Sequence, residues 1–138
     1  LHNANRLHYT QGSERWRGID AKKVAARGQF PTQADCSSFA TWCLWNGLFV
    51  PFGVRDTVNG ARWQYGYTGT MVQHGKRVVH RKNVQGGDLA LYGDPTGRTG
   101  HVAVCVGGGR VISFGSEPGP FLLPIDYRSD LREIRRYI

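Results

Sequence analysis

The stretch from Gly100 to Phe114 constrains the fold more than any other part of the chain. Residues Gly100-His101-Val102-Ala103-Val104-Cys105-Val106 alternate with the period of a β-strand. That period places Val102, Val104 and Val106 on one face and His101, Ala103 and Cys105 on the other. Three consecutive glycines, Gly107-Gly108-Gly109, then turn the chain, and Arg110 to Phe114 returns as a second strand. A hairpin apolar on both faces must be covered by further elements. Leu89-Ala90-Leu91-Tyr92 supplies another strand, and Ile134 to Ile138 a final one.

The covering element is a helix predicted over Cys36 to Asn46. Asp35 is a good N-cap and Gly47 a good stop. Upstream, Leu1 to Gly28 reads as helical in parts, with Ile19, Val24 and Ala25 at helical spacing. Gly28-Gln29-Phe30-Pro31 is a connection, because Pro31 disfavours helix at Phe30. Residues 48–87 read as loops with a short helix near Asp56 to Trp63. One helix followed by an antiparallel sheet is an α+β arrangement, and 138 residues suit a single domain, 1–138, or one module of a longer protein. Cys36, Ala40 and Cys43 give the helix a stripe of small residues that fits the small face of His101, Ala103 and Cys105. Docking those two surfaces would bring Cys36 to His101.

The position of Cys36 has a chemical meaning. A thiol is an effective nucleophile as thiolate. The first turn of a helix offers unpaired N–H groups and a partial positive charge, which favour a thiolate and can receive an oxyanion. A nearby imidazole would take the proton, and His101, opening its strand, stands apart from His2, His8, His74 and His80. Cys43, mid-helix, reads as core. Three cysteines without a C-x-x-C pair argue against a zinc ribbon and against a thioredoxin-like motif.

Composition narrows the partners. There are 18 Lys and Arg against 10 Asp and Glu, a formal charge of +8. Such a balance favours anionic surfaces, among them nucleic acid and the bacterial wall. The basic residues are scattered and no nucleic-acid-binding motif is present, so nucleic acid is not expected. No run of some 18 apolar residues occurs, no signal-peptide core is visible, and no membrane partner is expected. A monomer is expected.

Three blocks in order carry a resemblance: Asp35-Cys36-Ser37-Ser38-Phe39, Gly87-Asp88-Leu89-Ala90-Leu91-Tyr92 and Gly100-His101-Val102-Ala103-Val104. Together they resemble the motifs of NlpC/P60 cysteine peptidases. The region Ser113 to Pro120 and Tyr127-Arg128-Ser129-Asp130 resembles peptidase domains of actinobacteriophage endolysins. The resemblance implies a papain-like α+β core and hydrolysis of a stem-peptide bond in peptidoglycan. It implies action at the bacterial cell wall, either as a phage lysin released from its host or as a secreted enzyme. Cys36 would attack the carbonyl and His101 would act as general base, with no metal or cofactor required.

The family's third member, a polar residue on the next strand, has no plain counterpart here. Glu117 is favoured over Ser113 as the group that orients His101. The register of the hairpin decides: a three-residue loop puts 113 and 115 on the histidine face, a two-residue loop 114 and 116. Gln29 stands where many relatives carry a tyrosine upstream of the nucleophile, and is a candidate polar contact. Asp35, Ser37 and Trp63 are further candidates for substrate binding. The cluster Lys76-Arg77 to Arg81-Lys82 and the tail Arg128, Arg132, Arg135 and Arg136 are solvated faces that can attract an anionic wall polymer. Competing readings are an N-acetylmuramoyl-L-alanine amidase on the same fold and a wall-binding module without catalysis.

Overall fold

A computed structural model describes residues 4–16, 30–44, 46–47, 67–98 and 100–137. The elements are β1 (His8–Tyr9), β2 (Gln33–Ala34), α1 (Cys36–Leu44), α2 (Thr68–Gln73), β3 (Lys76–Arg77), β4 (Leu89–Tyr92), β5 (His101–Gly107), β6 (Arg110–Ser113), β7 (Phe121–Pro124) and β8 (Leu131–Arg136). Strands β3 to β8 form one antiparallel sheet in the order β3-β8-β4-β5-β6-β7. Strands β1 and β2 pair in parallel beside it. The architecture is α+β, as the sequence predicts.

The sheet is apolar on both faces, and each face is covered separately. Leu89, Leu91, Val102 and Val104 share a core with Cys36, Ala40 and Leu44 of α1 and Met71 of α2. The opposite face buries Ala90, Tyr92, Ala103, Cys105 and Val111 against Ile125 and Ile134. The helix therefore docks on the valine face of β5. The predicted docking on His101, Ala103 and Cys105 is not what forms. Branched side chains on that side bury more apolar area against the small stripe of α1 than alanines would, while the small face is closed by the segments following β3 and β7.

The hairpin shows how the register is set. Gly107 faces Arg110, so the turn has two residues, Gly108 and Gly109. All three glycines have positive φ, 86°, 59° and 69°, which is why glycine is needed here. A two-residue turn alone would put 114 and 116 on the histidine face. A bulge between Cys105 and Gly107 inserts one extra residue, Val106, and restores the other phase. Cys105 then faces Val111, and Ala103 faces Ser113.

Several elements differ from the sequence reading. The segment predicted as loop holds α2 and β3, and β7 is an additional strand. The last strand begins three residues earlier than predicted and ends at Arg136. Its position is secured by Asp88, fully buried, whose carboxylate accepts from Arg136 Nε at 2.7 Å and from a terminal nitrogen of the same guanidinium at 2.7 Å. The predicted helices around Ile19 to Ala25 and around Asp56 to Trp63 lie outside the described residues. Among the described residues, no helix is long and apolar enough to cross a membrane.

Candidate active site

Helix α1 begins at Cys36 because Asp35 caps it. The Asp35 Oδ1 accepts from the Ser38 main-chain N–H at 2.8 Å and from the Ser37 hydroxyl at 2.8 Å. In return the Asp35 N–H donates to Ser38 Oγ at 2.9 Å. This reciprocal exchange is a capping box with serine in the glutamate position. The other carboxylate oxygen lies 3.2 Å from Arg15 Nε, an ionic contact without hydrogen-bond alignment. Asp35 and Ser37 are thus both buried and engaged in the cap. Their side-chain oxygens help start the helix, while the Ser37 main-chain N–H lies at the Cys36 sulfur.

The cap leaves the first N–H groups of the helix for the sulfur. The main-chain N–H groups of Val102, Ser37 and Cys36 lie against Cys36 Sγ and favour its thiolate. Burial and the Asp35 carboxylate outweigh them and push the thiol up to about 11. The sequence-based expectation of a lowered thiol pKa is therefore reversed, because Cys36 is only 9% exposed. Val102 immediately follows His101, so the start of α1 meets β5 next to the residue that carries the imidazole. Among the described residues, no direct hydrogen bond joins the sulfur to the imidazole.

His101 is buried at the start of β5, beside Tyr92 with ring centroids 6.0 Å apart. Burial, and then the Arg128 cation, pull its pKa down to about 4. Its Nε2 lies 2.9 Å from Ser113 Oγ, and Ser113 Oγ lies 2.9 Å from the Tyr127 hydroxyl. Glu117 does not take this place. Its carboxylate accepts from the Tyr9 N–H at 2.8 Å and faces His8 Nδ1 at 3.3 Å, at the exposed end of β1. The bulge at Val106 is the reason: it turns Ser113 toward the histidine, while the chain past Gly115 has already left the sheet. A β-carbon on Gly115 would come within 3.2 Å of His101 Cε1, so this glycine lets the backbone pass close to the ring.

The structure adds residues that the sequence reading missed. Tyr9 on β1 and Tyr127 after β7 are both half-buried and both sense charge on Cys36. Tyr9 packs edge-on against Phe114 at 5.3 Å. It reaches the surroundings of Cys36 from much earlier in the chain than Gln29. The signal was a tyrosine in an alternating His8-Tyr9-Thr10 segment, too short to read as a strand. Gln29 and Trp63 lie outside the described residues. Cys43 is half-buried and packs into the core, and all three cysteines are free thiols.

In chemical terms the arrangement offers a neutral thiol, a neutral imidazole held at Nε2, and main-chain N–H groups at a helix start. A carbonyl placed at the sulfur would meet a thiol and main-chain donors suited to an oxyanion, at the residue that follows the histidine.

No protein-family model and no curated protein matches the sequence. Solved structures do match the fold. NlpC2 from Trichomonas vaginalis aligns with a TM-score of 0.60 and 18% identity, over 97% of this chain and 44% of that one. NlpC1 from the same organism aligns with a TM-score of 0.60 and 19% identity, over 97% of this chain and 42% of that one. The chain thus spans less than half the length of the structures it resembles. Strand order, the capped helix bearing Cys36 and these alignments together give the protein an NlpC-like fold.

Proposed function

We propose that this protein is a cysteine peptidase that hydrolyses a stem-peptide bond of bacterial peptidoglycan. The observation that carries the reading is the placement of Cys36 at a capped helix start, its sulfur against the N–H that follows His101, with the imidazole held at Nε2 by Ser113. In this reading Cys36 Sγ attacks the scissile carbonyl as its proton passes to His101 Nδ1. The helix-start N–H groups receive the oxyanion. The imidazolium returns the proton to the leaving amine, and water then hydrolyses the thioester. A buried, neutral resting pair fits proton transfer during attack rather than a preformed thiolate.

The cell wall as partner is supported by charge. Pairing of β3 with β8 gathers Lys76 and Arg77 with Arg135 and Arg136 at one sheet edge, with Arg81, Lys82 and Arg132 close in sequence to the paired strands. These cations outnumber Asp88, Asp126 and Glu133, the carboxylates paired with them. A polymer bearing carboxylates or phosphates fits such an edge. Origin from a phage endolysin rests on the sequence resemblance of Ser113 to Pro120 and Tyr127 to Asp130.

The test is digestion of purified peptidoglycan by the parent and by Cys36→Ala, with fragments identified by mass. New termini from the parent alone establish a cysteine hydrolase. Release of N-terminal L-alanine identifies the amidase instead. Wall binding without cleavage by either protein rejects catalysis and leaves a binding module, a reading favoured by the deep burial of the Cys36 thiol.

A further inference from the structure

The hydrogen-bond chain behind His101 does not end at Ser113. Ser113 Oγ stands 2.9 Å from His101 Nε2 on one side and 2.9 Å from the Tyr127 hydroxyl on the other. A hydroxyl carries one proton and can accept at its lone pairs, so the two contacts are coupled. If Nε2–H donates to Ser113, the serine either donates its own proton to Tyr127 or accepts a second time, from the Tyr127 hydroxyl. If Ser113 donates to Nε2, its one proton is used, Tyr127 must donate to Ser113, and the imidazole proton must sit on Nδ1. Only donation from Nε2–H leaves Nδ1 open and survives when the ring gains a second proton, because an imidazolium donates from both nitrogens, and donation of the serine proton to Tyr127 is the arrangement that strengthens it.

From this we infer that Tyr127 is a positioning residue that acts through Ser113 to hold His101 as its Nε2–H tautomer, leaving Nδ1 to take the Cys36 proton. By accepting the serine proton, Tyr127 makes Ser113 a better acceptor for the histidine. Tyr127 is well anchored for this. Its N–H donates to the Pro124 carbonyl at 3.0 Å, its ring packs edge-on against Tyr92 at 5.4 Å, and the Tyr92 hydroxyl donates to the Ile125 carbonyl at 2.9 Å. Other titratable or charged groups act on His101 too: Tyr92 from β4, Asp35 from the start of α1, and Arg128 and Asp130 after Tyr127. Tyr127→Phe replaces none of these groups; it keeps the ring and removes only the oxygen. The role in proton transfer rests on the proposed peptidase reading; the tautomer does not.

The experiment has two arms on the full chain. Long-range 1H–15N spectra of 15N-histidine-labelled protein at pH 7.5 read the tautomer of His101. The parent should show Nε2 protonated and Nδ1 bare, and Tyr127→Phe and Ser113→Ala should each shift toward averaged nitrogens. On purified peptidoglycan, Tyr127→Phe should lower kcat roughly five- to tenfold with KM unchanged. Ser113→Ala should lower it more, and the double variant no further than Ser113→Ala. An unchanged His101 pattern in folded Tyr127→Phe, or a double variant that loses the product of both single effects, overturns the inference. If the parent cleaves nothing, the peptidase reading falls while the spectra still decide the relay.

Discussion

His101 Nε2 and Ser113 Oγ meet at 2.9 Å across the β5–β6 hairpin, diagonal neighbours on one face of the sheet. Ser113 stands opposite Ala103, and His101 is two residues further along the same strand face. The contact exists because Val106 is bulged; shifting β6 by one residue would turn Phe114 toward the imidazole instead.

Burial of both partners predicts how Cys36 reacts with pH. With the thiol at about 11, roughly one molecule in ten thousand carries a thiolate at neutral pH. Alkylation of Cys36 by iodoacetamide should therefore rise about tenfold per pH unit from pH 7 to 10. Peptide mapping would separate it from Cys43 and Cys105. A rate already level by pH 7 would show a preformed thiolate and contradict the neutral pair.

Asp35 has two separable effects, as cap and as charge. Asp35→Asn keeps an acceptor for Ser37 and Ser38 but removes the anion that disfavours the thiolate. Cys36 should then alkylate faster at pH 8, with little loss of helix stability. Asp35→Ala should cost about 1–2 kcal/mol in urea unfolding, because the cap is lost as well. Equal stability of the alanine variant and the parent would remove Asp35 from the account of why α1 starts where it does.

His101 should make the fold sensitive to acid. Its folded pKa, about 4, lies below the ordinary value of 6.5, so the unfolded chain binds a proton first as pH falls. The associated stability is complete above pH 6.5 and is lost on going down toward pH 4. Its size is on the order of 3 kcal/mol. His101→Gln should show a shallower loss of Tm over that window than the parent. Parallel curves would mean that the imidazole is protonated as easily in the folded state as outside it.

The basic edge should be visible in wall binding. Cys36→Ala keeps the measurement free of the proposed cleavage. Its retention on purified peptidoglycan should weaken as salt rises from 0.05 to 0.5 M, since exposed charges are screened beyond about a Debye length. Adding Lys82→Glu and Arg132→Glu should weaken retention at low salt and flatten the salt dependence. Retention indifferent to both salt and charge reversal would assign wall binding to another surface.

Much of the site was legible in local chemistry. The Asp35 cap, the helix from Cys36, the strands Leu89–Tyr92 and Arg110–Ser113 and the isolated position of His101 all follow from residues within one or two turns of each other. Caps, periodicity and glycine turns act over that range, so one sequence suffices to read them.

Other features depend on parts of the chain that meet only after folding. The bulge at Val106 is a single residue out of phase, and the pattern of β5 alone does not reveal it. Which face α1 covers is set by how well Val102, Val104, Leu89 and Leu91 fill the space beneath it. The pairing of β3 with β8 and the arrival of Tyr9 and Tyr127 at the site join segments far apart in sequence. The direction of the Cys36 and His101 shifts is likewise a property of burial. The sequence by itself determined a capped cysteine helix, an apolar hairpin and the histidine that opens it. Tertiary structure decided register, face, the hydrogen-bond partner of His101 and the direction of both pKa shifts, because packing and desolvation depend on what surrounds a residue rather than on what precedes it.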